Sequence, residues 1–115
     1  MDLYERGHII GSHSHSHPSN MAALSYNGIL AEWKQSKEIL SNICHANINT
    51  ASIPNGYSSK TVLEAAKEAG IEVLYTSEPI SYIKKKYGIT LIGRYVIHKD
   101  MDLDYVNSII LSKWR

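Results

Sequence analysis

Gly11-Ser12-His13-Ser14-His15-Ser16-His17-Pro18 follows the apolar pair Ile9-Ile10 and gathers three of the chain's six histidines into five residues. Neutral imidazole is a borderline ligand for zinc, cobalt, nickel or iron. Two histidines four apart on a turn, or two apart on one face of a strand, can aim their nitrogens at one ion. The serines between them are small enough to leave it room. Pro18 fixes its own φ and biases His17 towards extended backbone, so local sterics are expected to hold the last imidazole. A solvated Ser-His loop or a remnant tag has the same composition. The run, however, lies between an apolar segment and an amphipathic helix, which reads as the mouth of a strand in a folded domain.

Outward from that run, the chain alternates strands and helices. Met1 to Gly7 reads as the tail of a helix stopped at a glycine. Ser25 caps a helix from about Tyr26 to Asn42, with Tyr26, Ile29, Leu30, Trp33, Leu40 and Ile43 inward and Lys34, Lys37 and Glu38 in water. Asn47 to Ile53 is β-rich and is broken by the turn Pro54-Asn55-Gly56. Ser58 or Ser59 caps a second helix that buries Val62, Leu63, Ala66 and Ala69 and stops at Gly70. Ile71 to Tyr75 and Leu91 to Ile97 read as further strands, with a short helix over Ile80 to Tyr87 between them. Asp102 caps a last helix with Leu103, Val106, Ile110 and Trp114 at helical spacing. Four strands alternating with about four helices imply an α/β fold with parallel pairing and right-handed crossovers. In such folds chemistry collects at the carboxyl ends of the strands, and both the histidine run and the Pro54 turn follow strands.

Composition bounds the rest. The 115 residues carry a net charge of +1, with 43% hydrophobic and 20% charged residues, as in an ordinary globular domain. One domain over 1–115 is expected, with no internal repeat. The only basic run, Lys84 to Lys86, reads as a solvated helix face, so no nucleic-acid partner is implied. The single cysteine, Cys44, permits no internal disulfide and reads as a small buried apolar residue. No apolar run of about 18 residues suggests a membrane span, and the amino-terminal residues do not read as a signal peptide. The compartment stays open.

Gly7 to Pro18, followed by Leu24-Ser25 and a helix, resembles the second signature of the NodB-type polysaccharide deacetylases, His-(Ser/Thr)-x-x-His-Pro. Ala51 to Ser58, followed by a helix ending Glu68-Ala69-Gly70, is similar to the family's third signature. The resemblance runs from Met1 to about Arg94. It implies a partial (β/α) barrel of that type, since a whole barrel usually needs about 200 residues or more. It also implies a divalent metal, zinc first and cobalt or nickel next, held by His13 and His17, with Ser14 supporting the first ligand and His15 variable. The backbone N–H of Asn55, after Pro54, would be the oxyanion donor, with Pro54, Gly56 and Tyr57 of the same turn lining the substrate site. The implied reaction is removal of N-acetyl, less often O-acetyl, groups from a carbohydrate. Members are often extracellular or attached to the cell envelope.

The chain also departs from the family pattern. The first signature, a strand ending Thr-Phe-Asp-Asp-Gly that supplies the general base and a carboxylate ligand, has no counterpart here and is expected upstream of Met1. Asp2, Asp100, Asp102 and Asp104 read as helix-terminal or solvated charges. Ser52-Ile53-Pro54-Asn55 lacks the arginine that often precedes the prolines. Arg94 either enters in its place near the substrate or is a salt-bridging strand-end residue. Val96-Ile97-His98 matches the final Leu-x-His motif loosely, which makes His98 the candidate general acid or else a strand-end histidine. Two imidazoles hold a divalent ion weakly, because such sites normally use three or four protein ligands. The chain alone is therefore expected to be weakly active or inactive. Two other readings stand beside this one: a non-catalytic module that self-associates through exposed barrel edges, and a three-histidine metal-binding protein using His13, His15 and His17.

Overall fold

A computed structural model describes residues 2–111. Its elements run α1 (Asp2–Glu5), α2 (Tyr26–Cys44), β1 (Thr50–Ser52), α3 (Lys60–Glu68), β2 (Val73–Tyr75), β3 (Lys84–Lys86), β4 (Ile89–Ile92) and α4 (Leu103–Ile110), with 3-10 turns at Met21–Ala23 and Pro54–Gly56. The sheet order is β1-β2-β4-β3. β1, β2 and β4 are parallel, in register Ala51–Leu74–Leu91. This is the α/β layering expected, with α3 crossing between the parallel β1 and β2, but the connection from β2 to the parallel β4 carries no helix and runs through the antiparallel β3.

The segment before the histidine run joins the sheet through a single parallel bridge, Ser12 to Ala51. Ser12 N–H donates to Thr50 O and Ser52 N–H to Ser12 O, both at 2.9 Å. Gly11 is required for this approach, since a Cβ there would stand 2.7 Å from Thr50 Oγ1 and 3.0 Å from Thr50 O.

The helix expected over Ile80 to Tyr87 is instead a hairpin. β3 runs antiparallel to β4, pairing Lys84 with Leu91 and Lys86 with Ile89. Tyr87 and Gly88 turn the chain with φ of 49° and 77°, the two positive values that a tight two-residue hairpin turn demands. Lys84 to Lys86 thus occupies a sheet edge, where lysines discourage pairing with another chain, and is not a helix face. The strand expected to reach Ile97 stops at Ile92. A Cβ at Gly93 would collide with Glu78 O, and Arg94 N–H donates to that oxygen at 3.0 Å, which turns the chain out of the sheet.

Ser25 and Ser59 cap their helices as expected, accepting from Gly28 N–H and Val62 N–H. α2 and α3 pack together over one core of Trp33, Ile29, Met21, Ile53, Val62, Ile71, Leu74 and Ile89, all fully buried. Trp33 Nε1–H reaches Val62 O at 3.4 Å, and the small buried Ala65 and Ala66 let the helices approach closely. Cys44 is buried.

Three packing expectations are corrected. Tyr26 and Ile43 point outward, and the buried stripe of α2 runs through Ser36 and Cys44. Lys37 is half-buried, its ammonium donating to Gly70 O at 3.2 Å. α4 buries none of its residues, with Leu103 at 72% and Ile110 at 69% exposure. Trp114, expected on the same face, lies outside the described residues.

Candidate metal centre

An open cleft of about 420 Å³ sits over the carboxyl ends of the parallel strands, lined by Ile9, Gly11, Ser12, His13, Thr50, Ala51, Ser52, Tyr75 and Arg94. The loop that carries His13 and His17 over its rim folds back on itself. The two rings stand 4.9 Å apart between centroids and are tilted by 59°. His13 Nδ1 lies 2.7 Å from Ser52 Oγ and 3.2 Å from Ser52 O. Ser52 thus anchors the Nδ1 side of the ring; in the tautomer with the proton on Nδ1, which the carbonyl oxygen favours because it only accepts, Nε2 would be the nitrogen offered to an ion. Metal-binding histidines are commonly oriented in this way.

His17 departs from the extended backbone expected before proline. It has φ 55° and Ser14 has φ 67°, both in the left-handed region that side chains avoid. Hydrogen bonds compensate. Ser14 Oγ accepts from His17 N–H at 3.0 Å, and Ser14 N–H donates to Ser12 Oγ at 3.2 Å. Ser14 thus braces the second histidine directly. Glu32, on α2, accepts from the backbone N–H groups of His15 and Ser16 at 2.8 Å each and from the Ser16 hydroxyl. Partial burial pushes the Glu32 carboxyl up, but the Ser16 and His15 hydrogen bonds outweigh it and hold the carboxyl below its ordinary range. One turn along the helix, buried Ser36 accepts from buried Ser12 at 2.7 Å.

The Pro54 turn comes to the same region. Pro54 is buried, and Asn55 has φ 55°. The Asn55 side-chain amide donates to Ser19 O at 3.0 Å, tying the turn to the chain just after Pro18. Arg94 lines the cleft, with Nε–H donating to Thr76 O at 3.0 Å. The other candidates lie apart. Gly56 lines a second pocket with Ser58, Thr76 and Lys84, and Tyr57 is 53% exposed. His98 sits in exposed irregular chain and is not among the residues lining the cleft.

Among the described residues no three His, Cys, Asp or Glu side chains are grouped to hold a metal. The two-histidine arrangement nonetheless suits half of such a site, since one ring is oriented by Ser52 and the other stands beside it. Ser52, Ser36 and Glu32 were not singled out from sequence. Ser36 carried a signal, as a polar residue on the apolar stripe of α2 through Ile29 and Trp33.

A family model for polysaccharide deacetylases matches residues 1–74, more than half of the chain. The chain belongs to the polysaccharide deacetylase family. Among curated proteins none matches it. Two solved deacetylases share the fold of this family member. The Streptococcus pyogenes deacetylase PplD in complex with acetate is 24% identical over 57% of this chain and 29% of its own, with a TM-score of 0.55. The de-N-acetylase from Aggregatibacter actinomycetemcomitans is 16% identical over 73% of this chain and 31% of its own, with a TM-score of 0.58. At these identities the likeness concerns the fold, and the chain spans less than a third of either structure.

Proposed function

We propose that the chain is the two-histidine part of a metal-dependent deacylase that hydrolyses an N-acetyl, less often an O-acetyl, group on a carbohydrate. The observation that carries this reading is the His13–His17 pair, with rings 4.9 Å apart, at the carboxyl ends of parallel strands. His13 and His17 would hold the ion, zinc first and cobalt or nickel next, and Ser52 would orient the His13 ring. A bound divalent ion supplies carbonyl polarisation and an acidified water, whose pKa falls towards about 7 in zinc enzymes. The Asn55 N–H would donate to the developing oxyanion; removing one such donor costs roughly 3 kcal/mol in enzymes where it has been measured. Arg94 would contact the sugar from the cleft wall and Ser14 from the loop above it, while the fully buried Pro54 would shape the turn that presents Gly56 and the exposed Tyr57 beside the second pocket. His98 is the motif's candidate acid for the leaving amine, and the reading does not rest on it.

Two imidazoles make a weak site, so the chain alone is expected to turn over acetylated substrate poorly. The test is an assay of the chain on acetylated chito-oligosaccharides with added zinc or cobalt, beside NMR of the histidine rings during the metal titration. Selective perturbation of His13 and His17 with little turnover supports the reading. Robust turnover would overturn the inactivity, and unperturbed rings would overturn the metal assignment.

A second reading, a self-associating non-catalytic module, draws on the exposed apolar residues of α4 and on Ile9, 85% exposed beside a segment joined to the sheet by one bridge. A third, a His13-His15-His17 metal site, has no support in the geometry, since no three such side chains are grouped among the described residues; it predicts that loss of His15 weakens binding as much as loss of His17.

A further inference from the structure

Glu32 accepts three hydrogen bonds from the histidine loop, yet it is neither a motif residue nor a lining residue of the cleft. Its carboxylate collects two consecutive backbone N–H groups, of His15 and Ser16, and the Ser16 hydroxyl. Those residues form the apex between the two proposed ligands, where Ser14 and His17 hold positive φ. Left alone, a loop with two such residues relaxes, because the left-handed region is strained for any residue with a Cβ. Glu32 opposes that relaxation from a rigid support, a capped helix of 19 residues pinned to the core by Ile29 and Trp33. Ser36, one turn along, pins Ser12 at the root of the loop through a buried hydrogen bond. Glu32 and Ser36 are four residues apart on one face of α2, so the helix grips the loop at its base and at its apex.

We propose that Glu32 is a positioning residue that presets the loop between His13 and His17, holding both imidazoles towards one point before any ion binds. The consequence for metal affinity rests on the deacylase reading above; the effect on the loop does not. Glu32 touches neither imidazole and acts through the backbone of His15 and Ser16. Glutamine replaces it only in part: its amide oxygen can accept from both N–H groups and its NH2 can donate to the Ser16 hydroxyl oxygen, but the negative charge that strengthens all three hydrogen bonds is lost.

The test uses the full chain. Amide hydrogen exchange and 15N relaxation are measured without metal for wild type, Glu32→Gln, Ser16→Ala and Leu40→Ala, followed by cobalt titration of each. Glu32→Gln is expected to speed exchange at His15 and Ser16 and to mobilise residues 13–17. It should also weaken cobalt binding several-fold, up to about the tenfold expected for a direct partner of a histidine ligand. Ser16→Ala removes only one hydroxyl from an exposed site and should give a smaller loss in the same direction. Leu40→Ala, a packing change on the same helix, should lower the melting temperature without raising exchange at His15 and Ser16 beyond the rest of the chain. Unchanged exchange and relaxation at residues 13–17 in Glu32→Gln and Ser16→Ala would overturn the proposal, as would unchanged cobalt affinity in Glu32→Gln while wild type binds. If cobalt leaves His13 and His17 of the wild type unperturbed, the metal reading fails, and the metal-free measurements alone decide for or against Glu32.

Discussion

His13 and His17 are separated by three residues, and their rings meet because Ser14 and His17 adopt a left-handed backbone that Ser12, Ser14 and Glu32 hold in place. Function at this scale should be unequal across the run. His13→Ala or His17→Ala is expected to abolish cobalt-induced perturbation of the partner ring, whereas His15→Ala, whose contact to Glu32 is through its backbone N–H, leaves it intact. Isothermal titration with cobalt checks the ranking, and equal losses for all three would favour a three-histidine site. Ser52→Ala removes the hydroxyl partner of His13 Nδ1 and is expected to weaken binding about tenfold, as outer partners of histidine ligands do. The Glu32 carboxyl has a folded-state pKa below its ordinary value of 4.5. Its stabilisation is therefore complete above that value and is lost as pH falls through the lower folded-state value. The melting-temperature gap between wild type and Glu32→Gln should accordingly be widest near neutral pH and close on acidification. A gap independent of pH would contradict this.

α2 links the site to the core, since Ile29 and Trp33 are sealed against α3 and the sheet while Glu32 and Ser36 reach the loop. Trp33→Ala should cost about 3–5 kcal/mol, the usual range for a fully buried large aromatic. Urea unfolding measures it. The β4 exit is a second sensitive element. Gly93→Ala would place a Cβ against Glu78 O and Ile80, so either β4 or the 78–80 segment must shift. Loss of the Arg94 N–H to Glu78 O hydrogen bond, seen as accelerated exchange of the Arg94 amide, is the expected sign.

Across the whole molecule, apolar surface is distributed unevenly. The core closes around α2, α3 and the sheet, while α4 shows Leu103, Ile110 and Leu111 at 72%, 69% and 79% exposure, and Ile9 is exposed on the rim of the cleft. Surface of this kind favours association. Sedimentation velocity should show self-association that weakens when Leu103 and Ile110 are both replaced by serine. A monomer at all concentrations would count against the self-associating reading.

Local chemistry determined much of this protein from sequence alone. The serine caps of α2 and α3, the glycine-stopped end of α3, the order α2-β1-α3-β2, and the His-x-x-x-His-Pro run all rest on residues within a few positions of one another, where sterics and capping act without the rest of the chain. The hairpin at Lys84 to Lys86 was missed because its edge position, not its composition, makes three lysines a strand. The end of β4 at Ile92 was missed because a carbonyl 15 residues earlier, that of Glu78, approaches Gly93. The roles of Ser52, Ser36 and Glu32 were decided only by tertiary structure. Each meets the histidine loop from 16 to 39 residues away in sequence, and a hydrogen bond between distant residues leaves no periodic trace along the chain.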